Sequence, residues 1–586
     1  MNAEADAEAV EVRGVHSVKL GRVVLGRSTV LLVLGALVGL VVGAVTVAYR
    51  HVVHWGNSFL LEKGPLAMEG SWYLRLLFPA AGGLLVGLLL RRYYSQPHVY
   101  GIPSVIRAVQ RNRVLFPWTM LYPSLGSVVI LSSGGSAGPE GPIAEIGSVF
   151  GAKIGRLFRV HRRMYRTLVA AGVAAGISAI FSAPIGGVLF ALEVILLEFE
   201  LVSFAPVVIA SVVASLFCQA AFGQEPAIRA GQFQINHWEI PYFVLLGLAM
   251  GLLSLAYIRF LDFSAYHFKR IPLPRWVLPA LGGLLVGCVG IPFYQVMGEG
   301  YGFINTALAG RYPATILLAL LVAKFLATGI TLGSGAPGGS FAPALFVGAM
   351  GGCLLGRVFH AMSPGVVGEA GMYGLMGMAG MIAGAFNAPM TAIMIFYRET
   401  HGEYHMLLPL MTTVAFSIAV MSRWGNVSLY TNTLRKLGEW IPPGQERDPL
   451  YGLVVGDILS PRAEVMPAHV TVAQAMARMN ELDAASVVVE DDKHQYVGLV
   501  NLDDLRLALA DPMMENLITL GDVVDPTLPW LEPNSSLSDA IRVFASSRRE
   551  ALPVFEDSPV RNFVGIVSRG AVIDAYRDSR IETPQS

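Results

Sequence analysis

Long uncharged apolar stretches, broken at intervals by glycine and proline, fill the first 440 residues, and a mixed, alternating pattern replaces them afterwards. Residues 167–192 and 325–356 carry no charged side chain, and each exceeds the ~20 residues that cross a bilayer as a helix. Similar runs lie at 29–49, 76–90, 201–223, 240–258, 276–296 and 404–421. The pattern predicts a polytopic, all-α membrane domain over residues 29–440 rather than a single anchor. Two segments of that region match each other: Phe181–Glu193 reads FSAPIGGVLFALE and Phe386–Glu399 reads FNAPMTAIMIFYRE. Each follows a small-residue stretch and, before that, a glycine-rich break, GGSAGPEGP at 134–142 and GSGAPGGSFAP at 333–343. Two related halves, 29–225 and 238–440, are the mark of an inverted-repeat transporter with its binding site at the repeat interface.

At 441–451 proline, glycine and charge cluster, which predicts a linker. Beyond it the chain repeats: VGDILS at 455–460 returns as LGDVVD at 520–525, and YVGLV at 496–500 as FVGIV at 563–567. Two α/β modules are expected at 452–512 and 517–580, each with a helix, an apolar strand, a turn, a second strand and a closing helix. They resemble a pair of CBS domains.

Composition sharpens this picture. Hydrophobic residues make up 54% of the chain and charged ones 14%, against ~25% charged in a soluble domain. A formal net charge of zero argues against a nucleic-acid partner, which calls for a basic patch. Cys218, Cys288 and Cys353 are widely spaced inside apolar runs, the pattern of buried free thiols rather than of metal ligands or a disulfide framework. Arg13, Lys19, Arg22 and Arg27 precede the first span with no cleavage site after it. Residues 1–28 are therefore expected to be a cytoplasmic segment, not a removable signal, of a multi-pass protein of the cell (inner) membrane.

The glycine breaks suggest the chemistry. Irregular backbone at membrane depth is tolerated where it is buried in protein or lines a cavity. A helix restarting after such a break aims its free N–H groups and positive dipole end at that cavity, which suits an anion without any lysine or arginine. Glu140, within GPEGP, is an intramembrane carboxylate and hence a functional candidate. At a helix start its charge occupies the position an anion would use, and protonation or rotation would vacate it, so Glu140 is the predicted gate. Glu145, one turn on, is expected to be packed or water-facing. The GSGAPG string at 333–338 fits a dinucleotide pattern but lacks the strand-turn-helix context, and HGEYH at 401–405 is not the HExxH of a zinc protease.

These segments resemble the CLC family of chloride channels and chloride/proton exchangers, across the membrane half and the CBS tail. GPEGP corresponds to the family's gating motif, which implies anion contacts around Gly138 and Gly141 beside Glu140. GGSFAP at 338–343 implies that the backbone amides of Ser340 and Phe341, with Ala342, hold the anion. YGIP places Tyr100, Gly101, Ile102 and Pro103 at the inner contact, and Tyr430 in VSLYTN falls at the pore tyrosine. Three departures stand out: Tyr100 replaces a serine and is either an atypical contact or a plug, Pro139 replaces a basic residue, and Val194 stands where exchangers carry an inner proton-relaying glutamate. Glu193 is its neighbour. The resemblance implies a homodimer with one pathway per subunit in the lipid bilayer, conducting chloride or similar small anions with voltage or pH gating. Val194 favours a passive channel over the alternative, an exchanger with a non-standard proton route; a CBS-regulated cation channel is a further rival. No covalent chemistry, metal or required cofactor is expected. Asn501 and Asp504 after GLV, and Ser568 after GIV, suggest an incomplete adenine-nucleotide site in the CBS pair, against an equally open structural role.

Overall fold

The computed structural model describes residues 18–20, 23–25, 27–57, 72–91, 101–110, 117–160, 162–197, 201–223, 228–229, 231, 233, 235–400, 402–424, 428–440, 453–460, 464–482, 484–493, 495–508, 517–525, 528–547, 549–556 and 562–581. Tyr100 and the linker at 441–451 lie outside them. The chain divides into two units, Met1–Pro443 and Gly444–Ser586.

The first unit opens on a short antiparallel pair, β1 (Val18–Leu20) and β2 (Val23–Leu25). Helices follow: α1 (Arg27–Asn57), α2 (Trp72–Leu89), α3 (Ile102–Gln110), α4 (Pro117–Ser132), α5 (Glu140–Leu157), α6 (Arg162–Phe181), α7 (Pro184–Phe190) and α8 (Leu201–Phe222). A second set comprises α9 (Ile240–Arg270), α10 (Leu278–Gly290), α11 (Tyr301–Leu308), α12 (Ala314–Gly333), α13 (Phe341–Met362), α14 (Ala370–Phe386), α15 (Pro389–Glu399), α16 (Leu407–Arg423) and α17 (Leu429–Lys436). Among the described residues, 8 helices are long and apolar enough to cross a membrane. Large apolar side chains cover their outer faces, as at Leu84, Leu88, Leu245, Leu252, Leu318 and Val322, while buried alanine, glycine and serine join larger apolar residues such as Leu168, Phe243 and Phe346 in the interior. That distribution suits a lipid surround, in which helices associate through close packing rather than through a hydrophobic drive.

The two sets are related by a local two-fold, visible where equivalent residues meet. A Cβ on Gly83 of α2 would lie 2.1 Å from the Pro279 carbonyl of α10, and one on Gly283 of α10 would lie 2.0 Å from the Pro79 carbonyl of α2. Glycine is required at both, because the backbones touch. In the same way Gly147 and Gly172 bring α5 against α6, and Gly348 and Gly377 bring α13 against α14. The α6–α7 and α14–α15 corners turn on Ser182 (φ 50°) and Asn387 (φ 54°), left-handed residues that end one helix just before Pro184 or Pro389 starts the next.

The second unit contains the 3-stranded sheet β3 (Val465–Pro467), β4 (Ser486–Glu490) and β5 (Tyr496–Asn501), and the hairpin β6 (Ala551–Glu556) and β7 (Asn562–Ser568). β3 runs parallel to β4, and both hairpins are antiparallel with a register shift near one end. Helices α18 (Val472–Leu482), α19 (Leu502–Ala508), α20 (Leu520–Val523), α21 (Leu537–Ser547) and α22 (Arg569–Ile581) complete two modules, each with its own apolar cluster. The architecture is thus a helical polytopic membrane domain followed by a tandem α/β pair.

Candidate functional site

The two glycine-rich breaks meet. Gly138 and Gly339, equivalent residues of the two repeats, form an isolated antiparallel bridge, with Gly138 N donating to Gly339 O at 2.7 Å and Gly339 N to Gly138 O at 2.8 Å. From this point α5 starts at Glu140 and α13 at Phe341. The bridge fixes both helix starts beside one another. It also gives the amide of Gly138, one of the expected anion contacts, a backbone acceptor in Gly339 O. Gly141 likewise abuts Gly339, where an added Cβ would sit 3.2 Å from its Cα.

Glu140 is fully buried. Its Oε2 accepts the Ala342 N–H at 3.3 Å, and its Oε1 accepts the Tyr301 hydroxyl at 2.5 Å. The carboxylate therefore rests on the start of α13, where the positive end of the helix stabilises negative charge. Tyr257 donates to the Ser340 carbonyl at 3.1 Å, holding the turn into α13. Phe341 lies in an aromatic group, stacked on Phe386 at 5.1 Å and tilted against Phe181 at 5.5 Å; Phe386 in turn meets the buried Tyr430 at 5.0 Å. Glu140, Ser340, Phe341, Ala342 and Tyr430 thus gather around one buried locus.

The residues of the YGIP segment behave differently. Gly101, at φ 72°, precedes α3 and donates its N–H to Glu145 Oε1 at 3.2 Å. Ser104 Oγ donates to the same oxygen at 3.1 Å and Ser124 Oγ to Glu145 Oε2 at 3.1 Å. Gly101 therefore already has an acceptor, and Pro103 has no N–H to offer. The start of α3, expected to face an anion through Gly101, Ile102 and Pro103, is covered at Gly101 by the protein's own carboxylate.

Beyond α7 the chain continues as a π-helical turn, Ala191–Leu196, that holds Glu193 and the buried Val194. Glu193 turns to the start of α15: Oε1 accepts Met390 N at 3.1 Å, and Oε2 accepts Thr391 N at 3.0 Å and Thr391 Oγ1 at 2.7 Å. A residue that sequence reasoning missed is Lys324 of α12, wholly buried, whose Nζ donates to Val296 O at 3.0 Å and Gly298 O at 2.9 Å. A lone lysine in an otherwise uncharged span was the signal for it.

In the second unit, the nucleotide candidates are engaged internally. Ser486 Oγ donates to Asn501 Oδ1 at 2.6 Å, Asn501 N donates to Asp504 Oδ2 at 3.1 Å, and Arg549 Nη1 reaches both Asp504 oxygens at 2.6 Å. Ser568 Oγ accepts Ala571 N at 3.1 Å, capping α22. Asp522 accepts from Thr519 as Asp504 does from Asn501, and hydrogen bonds from the Thr519 hydroxyl and amide hold the Asp522 carboxyl below the usual carboxylate range.

Comparison with known proteins decides the family. The family model for voltage gated chloride channels matches residues 82–422, and that for CBS domains matches 455–511 and 520–578. The chain belongs to the CLC family. Among its CLC relatives are an H(+)/Cl(-) exchange transporter ClcA of Vibrio cholerae, 30% identical over 69% of this chain and 89% of the relative. Another is the voltage-gated ClC-type chloride channel ClcB of Salmonella typhimurium, 31% identical over 67% of this chain and 95% of the relative. The fold is similar to that of a slow cyanobacterial Cl-/H+ antiporter, with TM-score 0.63 and 24% identity over 70% of this chain and 98% of that one. A eukaryotic CLC transporter aligns at TM-score 0.61 and 20% identity over 92% of this chain and 97% of its own. CLC membership makes this a multi-pass membrane protein of a chloride-transporting family with a CBS tail.

Proposed function

We propose that this CLC protein is a passive chloride channel, opened when Glu140 leaves the start of α13. The carrying observation lies at the inner side of the π turn: Val194 cannot take a proton, and its neighbour Glu193 is held by three donors on α15. A proton relayed from within would find no free carboxylate at that turn. Chloride entering at the Ser340–Ala342 amides displaces the Glu140 carboxylate, and weak contacts to amides and the Tyr430 ring region let it leave again. The chain works as a homodimer with one pathway per subunit in the inner membrane, its N-terminus and CBS pair cytoplasmic, and it performs no covalent chemistry. The CBS pair regulates conduction, with an adenine nucleotide as candidate ligand once Asp504 is released from Arg549.

An exchanger is the second reading. It is favoured by relatives named exchange transporters and by Glu145, a second buried intramembrane carboxylate. Reversal potential measured in liposomes across a pH gradient separates the two. A potential set by chloride alone supports the channel, and one that moves with the proton gradient refutes it.

A further inference from the structure

We propose that Tyr301 is the latch of the gate: its phenolic hydroxyl holds the Glu140 carboxylate on the start of α13, and conduction begins when that contact is given up. This rests on Glu140 being the gate and adds the residue that sets how firmly it closes. The two carboxylate oxygens divide their donors, Oε2 taking the Ala342 amide at 3.3 Å and Oε1 the Tyr301 hydroxyl at 2.5 Å. The phenol is the shorter contact of the two, and it comes from a separate element.

That element is held in place. Tyr301 is the first residue of α11, directly after Gly300, whose φ of 90° and closeness to Phe346 leave no room for a Cβ (2.7 Å). The residues just before are tied to α12 by the buried Lys324 ammonium, which donates to the carbonyls of Val296 and Gly298. The tyrosine is therefore presented to Glu140 from a fixed base, so the carboxylate is the partner that moves.

A hydroxyl donor stabilises the ionised carboxylate and does less for the protonated one. The latch thus opposes both departure of Glu140 and its protonation. The other groups that face Glu140 are Lys324 on α12, Glu299 next to α11, Tyr257 on α9, Tyr430 on α17 and Tyr49 on α1, with Arg50 of α1 facing Glu299 and Tyr301. None of these donates a hydrogen bond to its carboxylate, which leaves Tyr301 as the side-chain donor among the described residues.

The test is chloride efflux from liposomes carrying the full chain, measured over a series of pH values for wild type, Y301F, E140Q and the double variant. Y301F is expected to raise neutral-pH flux roughly tenfold and to move the midpoint of acid activation upward by about one pH unit. In the E140Q background, Y301F should change neither flux nor pH profile. A Y301F protein with the wild-type midpoint, or one whose effect persists in E140Q, overturns the latch. If E140Q alone retains the wild-type pH profile, the gate itself fails; if E140Q is flat and Y301F inert, the latch alone fails.

Discussion

Glu140 and Glu193 rest on helix starts of the same kind, and their donor sets differ. Glu193 is held by two amides and a hydroxyl, all from Met390 and Thr391 at the head of α15. Glu140 takes the Ala342 amide at 3.3 Å beside its own backbone N–H, and depends for its other oxygen on a phenol from α11. Glu145 resembles Glu193, with an amide from Gly101 and hydroxyls from Ser104 and Ser124. The backbones differ too: Glu140 opens its helix between Pro139 and Gly141, whereas Glu193 and Glu145 sit inside continuous turns. A helix dipole attracts any carboxylate placed at its start. The source of the donors, a neighbouring helix start or a separate element, and the freedom of the backbone carrying the acid are what the proposed gating by Glu140 turns on.

The largest expected effect tests that division directly. E140Q removes the charge that competes with chloride, so neutral-pH flux in liposomes should rise by roughly ten- to a hundredfold, the worth of hydrogen bonds to a charged group. Acid activation should vanish with it: falling pH protonates wild-type Glu140 and frees the α13 start, and glutamine has nothing to protonate. Flux that still climbs with acid would move the gate elsewhere. E145A should act on stability instead. It removes the acceptor of the Gly101 amide in the interior, at a cost of about 1–3 kcal/mol, read as an earlier thermal transition of the detergent-solubilised protein. Full stability in E145A would mean that the start of α3 can be satisfied by another acceptor, chloride included. Next comes E193A, which removes a helix cap worth about 1–2 kcal/mol and should leave the reversal potential set by chloride. A pH-gradient response that is present in wild type and lost in E193A would turn this strut into a proton relay and break the comparison.

The breaks were legible because glycine and proline cluster in them, whereas the single glycines of the spans serve close helix packing, and an acid embedded in such a cluster stands out. The repeat was equally plain, since FSAP and FNAP preserve the left-handed residue and the proline that build the same corner twice. What lay beyond reach was tertiary. Tyr301 sits in GEGYGFI, a string whose local pattern says nothing of a carboxylate far away along the chain. Glu193 was visible, but its destination on α15 was not, because a π turn redirects it by an amount that helical spacing does not predict. The partner of Gly138 is hidden for a related reason: its amide bonds across to the other repeat.

The soluble unit shows one pattern carrying two meanings, and it supports the smallest prediction. A polar residue followed three positions later by aspartate resembles a nucleotide site, yet it also resembles a capping box, and Asn501 with Asp504 makes one half of it, the Asn501 amide donating to Asp504 while its side chain meets Ser486. Arg549 then closes on both oxygens of Asp504. That pair is 22% and 25% exposed, so its contribution to stability is discounted by solvent to about 0.5–1 kcal/mol. R549A in the full chain should therefore lower the transition of the C-terminal unit by a degree or two. It should also bare Asp504, so calorimetric heat with ATP, ADP or AMP is expected in R549A and not in wild type. Heat of equal size in both proteins would show that nucleotide displaces the arginine unaided, whereas heat in neither would assign the pair to structure alone, because Asp504 would then be free and still find nothing to bind.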